Sequence, residues 1–400
     1  MLFYGIIRIG EMMKKVFSKM DKPLLIVTIL LCCIGLLMVF SSSFASASLR
    51  YDKSSTYFFI RQLIFFIAAF IGGLVIVRIP TKWYKSVSWM SIIGISSVLI
   101  LLLLYGTITN HVQSWFYIPG TGFALQPSEF AKSFLIIFMA CFYDGLVRKK
   151  TDNIYLYLIP LSVAGILGVL IMMQPDFGSA AILMAIGFCI FISVPIAKSN
   201  LPKIIMVLGI GAVLLVTVLL YSGTEILNSE QMSRFNFHNP CQRYKEKTGY
   251  QVCNGYIAIN NGGLTGVGIG ESTQKYLYLP ESHTDFIFAI LLEELGLLAG
   301  IGVLLLYVLL LYRLLKIAKD AYILRNSILA YGTFWYFVFH IIINLCGMLS
   351  ILPLTGVPLP LMSYGGSSTL NFIAMIFISQ RVAIENKTTK YNLELKQLAN

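Results

Sequence analysis

A carboxylate at the mouth of a long apolar stretch is the residue of this chain best placed to do chemistry. Asp285 ends the polar segment Leu279–Asp285, and the apolar stretch begins at Phe286. An ionisable group at a membrane boundary is costly and marks a functional site by default. Such a carboxylate can act as a general base. His283 and Thr284 stand beside it, either to orient it or to cap and pack the start of the following helix.

Further charges lie inside apolar stretches. Glu129 and Lys132 are three residues apart, which places them on one face of a helix. A structural ion pair and a role in binding substrate fit this spacing equally well. Glu293 and Glu294 lie about two turns inside the stretch that follows the first carboxylate. Their position favours structural hydrogen bonding.

Other chemistries lack their sequence signatures. The four histidines are scattered without the spacing of metal ligands. A Walker A lysine motif is absent, which argues against an ATP-driven pump. The glycines of Gly266–Gly270 resemble a dinucleotide loop, but the α/β context that such a loop needs is missing. We expect a tight backbone path over a ligand there, with a flexible loop as the alternative.

Two of the seven cysteines, Cys241 and Cys253, fall in the longest polar loop. If that loop faces an oxidising compartment, a disulfide between them is chemically reasonable. Spacing alone does not distinguish a bridge from two free thiols.

The elements that must position these residues are membrane helices. Of the 400 residues, 57% are hydrophobic and only 12% are charged, whereas soluble domains carry about 25% charged residues. The net charge of +12 is spread in short basic clusters between apolar runs. That is the pattern of cytoplasmic loops in membrane proteins, so we expect no nucleic-acid partner.

The pattern predicts an all-α polytopic protein with about ten spans of roughly 20 residues each. The predicted spans are Leu25–Phe40, Phe59–Val77, Ser88–Tyr105, Ser128–Leu146, Leu156–Met173, Ala180–Ile196, Ile204–Tyr221, Phe286–Leu311, Ile328–Leu349 and Ser368–Ile384.

The basic clusters place both termini in the cytoplasm and Asp285 outside. The predicted regions are a cytoplasmic basic N-terminus (1–22), a transmembrane domain (23–385) with a large extracellular loop (222–285), and a cytoplasmic tail (386–400). The apolar outer loops, which contain Pro and Gly, are expected to dip back into the membrane against protein.

Five sequence blocks, in this order, resemble the SEDS family of peptidoglycan polymerases, which comprises the FtsW, RodA and SpoVE proteins. The run Thr355–Pro360 looks closer to the FtsW branch. The blocks are Gln126–Lys132, Gln174–Ser179, Gly266–Gly270, Leu279–Phe286 with Glu293–Gly296, and Leu352–Ser368.

The resemblance implies an enzyme that polymerises lipid II, a disaccharide-pentapeptide on undecaprenyl pyrophosphate, at the outer face of the cytoplasmic membrane. Asp285 matches the essential aspartate of the family and Trp115 matches a tryptophan in the loop after the third span. One departure is Ser114, where the family commonly has arginine. The expected substrate-contacting residues are Arg61, Trp115, Gln126, Ser128, Glu129, Lys132, Asp176, Lys275, His283, Thr284, Ser363, Tyr364, Ser367 and Ser368.

The implied reaction inverts an α-linked glycosyl pyrophosphate to a β-1,4 linkage. One base for the attacking GlcNAc 4-hydroxyl is sufficient because the pyrophosphate leaves already ionised, unlike the leaving groups of glycosidases, which use two carboxylates. We expect Asp285 to be that base. The charge of the leaving group calls for cations, which basic side chains can supply with or without a divalent metal, Mg²⁺ or Mn²⁺.

The resemblance also implies a class B penicillin-binding transpeptidase and other divisome membrane proteins as partners, and a place at the division septum. Elongation in the manner of RodA and sporulation in the manner of SpoVE are alternatives. A lipid II flippase is the rival of another class, since intramembrane charges suit transport too. A scaffold that recruits the transpeptidase would not need Asp285.

Overall fold

The computed structural model describes residues 16–105, 107–109, 112–118, 123–151, 153–195 and 239–398. The α-helices are Lys22–Leu49 (α1), Tyr57–Ile76 (α2), Tyr84–Tyr105 (α3), Pro127–Arg148 (α4), Ile154–Met172 (α5), Phe177–Ser193 (α6), Lys247–Gly262 (α7), Ile287–Lys319 (α8), Leu324–Met348 (α9) and Gly366–Leu398 (α10). The strands are Thr107–Thr109 (β1), Val112–Ile118 (β2) and Phe123–Leu125 (β3).

The chain is an all-α polytopic membrane protein. Eight described helices are long and apolar enough to cross a membrane: α1 to α5 and α8 to α10. Helix α6 has 17 residues, or roughly 25 Å, a little less than the ~30 Å hydrocarbon core. Nine predicted spans coincide with these helices, and the tenth, Ile204–Tyr221, lies outside the described residues together with 222–238.

Three helices run well past their predicted ends, and the first of them, α1, continues beyond Phe40 to Leu49. Helix α8 continues beyond Leu311 to Lys319, and α10 continues beyond Ile384 to Leu398. The predicted ends marked where the apolar stretch stops. Charged and polar residues then prolong these helices, because a helix satisfies its own backbone and needs no apolar surroundings to continue.

Polar contacts gather at the two opposite ends of the bundle, as the alternation of the spans predicts. At one end Arg313 is paired with Asp21, and Thr81 donates a hydrogen bond to Glu385 at 2.6 Å. The other end carries Asp285, and we refer to it as the Asp285 end. The helix starts are capped locally: the Asp21 carboxylate accepts a hydrogen bond from the Leu24 N–H at 3.0 Å at the start of α1.

The segment before α4, predicted as a loop, contains a small antiparallel sheet in the order β1-β2-β3. Thr107 pairs with Trp115, and Phe116 pairs with Leu125. Pairing satisfies backbone groups that an apolar segment beside a membrane cannot leave to water. The sheet leads the chain into Gln126 at the start of α4.

Helix α8 is broken at Gly296, whose φ is 79°. The segment after α7 repairs the break. The N–H of Leu297 donates to the Gly263 carbonyl at 3.0 Å, and the Val267 N–H donates to the Glu293 carbonyl at 2.9 Å. The glycine-rich segment therefore follows the tight path that we expected, but it packs against the broken helix itself.

Candidate active site at the Asp285 end of the bundle

Asp285 is half-buried two residues before the start of α8. The positive end of the helix dipole at that start stabilises a nearby carboxylate. Asn344 of α9 fixes its backbone by donating to the Asp285 carbonyl at 3.0 Å. The side chain faces the turn at Gly356, where an added Cβ would lie 3.4 Å from the Asp285 Oδ2.

The segment before α10 clamps the segment that carries the carboxylate. Ser363 donates from Oγ to the Thr284 carbonyl at 2.6 Å and accepts from the Leu359 N–H at 2.9 Å. The Tyr364 N–H donates to the His283 carbonyl at 2.9 Å. The proline-rich block therefore has a clear structural role, which is to hold the backbone on both sides of Thr284.

A second polar cluster brings three of the sequence blocks together. Asp176 caps α6, and its Oδ2 accepts from the Gln126 amide at 3.0 Å and from the Ser128 hydroxyl at 3.2 Å. Ser367 at the start of α10 accepts from the Gln126 N–H at 2.9 Å. Ser368 lies one residue further along α10 and is buried.

This cluster adjoins the turn that faces Asp285. A Cβ added to Gly178 in α6 would lie 2.9 Å from side-chain carbons of Thr355 and Val357. Gly356, between those two residues, faces the carboxylate. Four of the predicted blocks thus meet at the Asp285 end, although they are far apart in the sequence. The fifth, Gly266–Gly270, packs about two turns further along α8, against the carbonyls of Glu293 and Glu294.

His283 lies in an aromatic cluster formed by Tyr51, Phe58 and Tyr364, with ring centroids 6.5, 4.6 and 5.8 Å from its own. Burial, and secondarily the positive charge of Arg50, lower the pKa of His283 to about 4. The imidazole is therefore neutral at pH 7 and packs as an aromatic ring. Its Nδ1 is buried and makes no hydrogen bond within the described ranges.

Arg61, in the first turns of α2, borders the same cluster. Its guanidinium lies 4.8 Å from the centre of the Tyr57 ring. Burial raises the pKa of Tyr364, and the nearby Arg61 opposes that rise. Arg61 is thus a cation beside the residues that clamp the Asp285 segment.

Two predicted cations are instead deep in the protein. The Lys132 ammonium lies 2.7 Å from Glu129 and 3.0 Å from His340, and all three side chains are buried. The structural ion pair, one of the two roles that the spacing allowed, is present. Lys275 is also buried and pairs with Glu294 at 2.8 Å.

Glu293 has the structural role that its position predicted. Its carboxylate accepts from Ser272, from the Thr273 hydroxyl at 3.0 Å and from the Asn261 amide at 3.1 Å. It therefore ties the glycine-rich segment to α8.

Ser114, at the position where the family commonly has arginine, has a structural role on β2. Ser114 is buried, and its hydroxyl donates to the Gln174 carbonyl at 3.2 Å. Trp115, the next residue on β2, is half-buried. The position where the family commonly has arginine is thus occupied by a small residue that links β2 to the end of α5.

Two amides inside apolar spans support the site and were not singled out from the sequence. One is Asn344, described above. The other is Gln62, whose amide donates to Thr369 at 3.0 Å and whose oxygen accepts from the Gly365 N–H at 3.2 Å. An uncharged polar side chain within an apolar run could have identified both residues in the sequence, because such a group is buried only where it has hydrogen-bond partners.

The segment before Asp285 is held by a disulfide between Cys241 and Cys253, whose Cα atoms are 4.9 Å apart. Cys253 lies on α7. That helix packs against the start of α8, where a Cβ on Gly255 would lie 3.0 Å from the Phe286 ring. The disulfide thus holds α7, which packs against the start of α8 beside Asp285.

The described residues do not bring three or more His, Cys, Asp or Glu side chains together as a metal-ligand set. An Mg²⁺ or Mn²⁺ ion at Asp285 would therefore depend on substrate phosphates and water for most of its ligands, which is usual for Mg²⁺.

An apolar groove of about 690 Å³ opens between α1 and α2, with Leu37 and Phe66 among its lining residues. Phe59 and Leu63 of α2 also line it. Each lies two positions from Arg61, so the groove is on the opposite side of α2 from that cation.

The fold and the site define a polytopic membrane protein with a supported carboxylate at one end of its bundle. Residues 22–388 match the FtsW/RodA/SpoVE family, described as "Cell cycle protein". The chain belongs to this family.

Similar proteins cover nearly the whole chain. The probable peptidoglycan glycosyltransferase FtsW of Bacillus subtilis (strain 168) is 36% identical, over 96% of this chain and 97% of that protein. Stage V sporulation protein E of the same organism is 34% identical, over 89% of this chain and 94% of that protein.

Solved structures share the fold. A chain from a study of how a peptidoglycan synthase complex coordinates polymerization and crosslinking superimposes with a TM-score of 0.71 at 22% identity, covering 92% of this chain and 98% of that one. The Rod shape determining protein RodA of Thermus thermophilus gives a TM-score of 0.65 at 21% identity, covering 92% of this chain and 97% of that one.

Proposed function

We propose that this protein is a peptidoglycan glycosyltransferase that polymerises lipid II at the outer face of the cytoplasmic membrane. The observation that carries the proposal is the placement of Asp285. This residue is half-buried, and its backbone is held by Asn344, which donates to the Asp285 carbonyl, and by Ser363, which donates to the Thr284 carbonyl, at a bundle end where four of the sequence blocks converge. The names of the relatives support the reaction class.

In the proposed reaction Asp285 accepts the proton of the GlcNAc 4-hydroxyl as that oxygen attacks the anomeric carbon of the donor. The new C–O bond forms while the bond from that carbon to the pyrophosphate breaks, and the pyrophosphate keeps the bonding electrons. Arg61 lies at the same end of the bundle and can stabilise the negative charge of the leaving group.

The other proposed substrate residues divide by burial. Gln126, Asp176, Thr284 and Tyr364 are half-buried at the Asp285 end and can face substrate. Trp115 is also half-buried. The remaining ones are buried and act through their neighbours, by holding helices and segments in place: Ser128, Glu129, Lys132, Lys275, His283, Ser363, Ser367 and Ser368.

We further propose a septal role in cell division, with a class B penicillin-binding protein and other divisome membrane proteins as partners. The relatives named FtsW support the role, and the structural neighbour from a peptidoglycan synthase complex supports such an assembly. A fluorescent fusion should gather at midcell and restore division when the FtsW of a host bacterium is depleted. Rescue of elongation or sporulation alone would contradict the septal assignment.

Purified full-length protein, with and without a class B penicillin-binding protein, tests the enzyme. Given lipid II in detergent, the wild type should form glycan strands and Asp285→Asn should not. Asp52→Asn is the matched control, because Asp52 is an exposed carboxylate with φ of 50°, which asparagine tolerates.

Strand formation by Asp285→Asn would overturn the assignment of the base. Translocation of lipid II in sealed vesicles without any strands from the wild type would favour the flippase instead.

A further inference from the structure

The proposed reaction releases a pyrophosphate, whose negative charge must be stabilised by cations near Asp285. Two of them are already neutralised inside the protein: Lys132 by Glu129 and Lys275 by Glu294. Arg243 pairs with Glu246 at 2.7 Å in the disulfide-bonded segment. Arg61 borders the clamp around Asp285, with its guanidinium 4.8 Å from the centre of the Tyr57 ring and close to Tyr364.

Arg50 is a further cation at this end and is not among the residues predicted from the sequence. It follows the last residue of α1 and is exposed. One guanidinium nitrogen donates to the Pro280 carbonyl at 3.0 Å, within the segment that ends in Asp285. The guanidinium also lies 5.6 Å from the centre of the Tyr51 ring.

The charge of Arg50 is not cancelled by these contacts. Within the described residues it forms no ion pair with a carboxylate. A carbonyl takes one of the five N–H donors of a guanidinium and leaves the others for an anion. Exposure keeps those donors open to solvent.

Arg50 and Arg61 border one aromatic cluster from two sides. Arg50 lies over Tyr51, whose ring is 6.5 Å from that of His283, and Arg61 lies beside Tyr364, whose ring is 5.8 Å from that of His283. His283 is neutral and adds no charge of its own between them. Two guanidinium groups thus flank the segment that presents Asp285.

We propose that Arg50 binds the pyrophosphate of the lipid-linked donor, together with Arg61. The proposal rests on the proposed function. A guanidinium fork matches phosphate oxygens in geometry as well as charge, which a lysine does not. Arg50 therefore holds the leaving group against the segment that carries the base.

A purely structural role through the Pro280 carbonyl is the competing explanation, and charge separates the two. Arg50→Gln removes the charge but keeps an N–H donor for the carbonyl. Arg50→Lys keeps the charge but loses the fork. Lys53→Gln is the matched control: it removes an exposed positive charge three residues further along the same connection.

The experiment measures displacement of a labelled lipid II from full-length protein in detergent by two unlabelled competitors, undecaprenyl pyrophosphate and uncharged undecaprenol. Arg50→Gln should weaken competition by the pyrophosphate about tenfold, a change typical of losing one charge-assisted contact. Competition by undecaprenol should stay the same. Arg50→Lys should fall between wild type and Arg50→Gln, and Lys53→Gln should behave as wild type.

Equal competition by the pyrophosphate on wild type and Arg50→Gln would overturn the proposal. Equal weakening of both competitors would show a structural role instead and would overturn it as well. Failure of the wild type to form strands refutes the proposed enzyme and leaves this comparison of the two lipids intact, so the two failures are distinguishable.

Discussion

The side chain of Asn344 holds the backbone of Asp285. Its amide nitrogen donates to the Asp285 carbonyl at 3.0 Å and to the Val357 carbonyl at 2.8 Å. One amide in α9 thus joins the segment that carries the carboxylate to the turn that the carboxylate faces. Asp285 is therefore positioned from the bundle interior as well as by its own helix.

Replacing Asn344 should therefore affect catalysis more than binding. Asn344→Leu leaves the part-buried Asp285 carbonyl and the buried Val357 carbonyl without this donor, which lowers the free energy of unfolding by about 2 kcal/mol. We expect kcat for strand formation to fall about tenfold or more, with KM changed less than about threefold. Thr333→Val is the control, because Thr333 lies on the same helix and its hydroxyl donates to the Leu329 carbonyl within that helix. Equal effects of the two substitutions would contradict a positioning role for Asn344.

Neutral His283 should make stability depend on pH. Its pKa is lowered from 6.5 to about 4 by burial first and Arg50 second. Between these values the unfolded chain binds a proton that the folded chain does not. The free energy of unfolding therefore includes the full contribution of neutral His283 above pH 6.5. This contribution is lost as the pH falls towards 4.

The measurement is the thermal denaturation midpoint in detergent at pH 7.5 and pH 4.5. His283→Phe keeps an aromatic ring in the cluster and removes the titration. We expect a smaller drop in the midpoint for this variant than for the wild type, corresponding to at most about 3 kcal/mol. Identical drops would show that His283 is not the titrating group.

The sequence predicted those features that depend on near neighbours. Apolar runs located the helices, and a spacing of three residues allowed the pair Glu129–Lys132. The pair of Lys275 with Glu294 spans 19 residues and exists only because the chain turns back onto α8. Such a return depends on tertiary packing, which periodicity does not encode.

Local irregularities were predicted least well. The break at Gly296 lies inside an apolar run, where a glycine is ordinarily tolerated in a helix. Only the paired segment after α7 shows that this glycine interrupts the helix. Arg50 was missed for a related reason, since the carbonyl to which its side chain donates, that of Pro280, is 230 residues away in sequence.

Removing one partner of the pair formed by Lys275 and Glu294 should destabilise the protein strongly. Lys275→Met leaves a buried carboxylate uncompensated, at a cost of about 3–5 kcal/mol. The double variant Lys275→Met with Glu294→Leu should recover much of that loss. Denaturation midpoints of both single variants and the double variant give the coupling. Additive effects, with no recovery, would contradict a direct pair.

The bond between Cys241 and Cys253 should stabilise the support beneath Asp285. It closes a loop of 12 residues, for which loop-closure entropy gives about 3 kcal/mol. Mass spectrometry after thiol alkylation should show two additional free thiols only after reduction. Cys241→Ser with Cys253→Ser should lower the denaturation midpoint, whereas Cys33→Ser, at an exposed free cysteine, should not. Alkylation of both thiols without reductant would refute the bridge.

Two glycines of α8 should respond in opposite ways to the same substitution. Gly296 has φ of 79°, and an added Cβ would lie 2.5 Å from the backbone of Thr265. Gly296→Ala should therefore strain the break and push away the segment that repairs it, lowering the denaturation midpoint and strand formation together. Gly302→Ala should be neutral or slightly stabilising, because nothing lies within 4 Å of its added Cβ and alanine favours helix. If Gly296→Ala were as stable and active as Gly302→Ala, α8 would have to run unbroken through position 296, and the segment after α7 would have no role in holding Asp285.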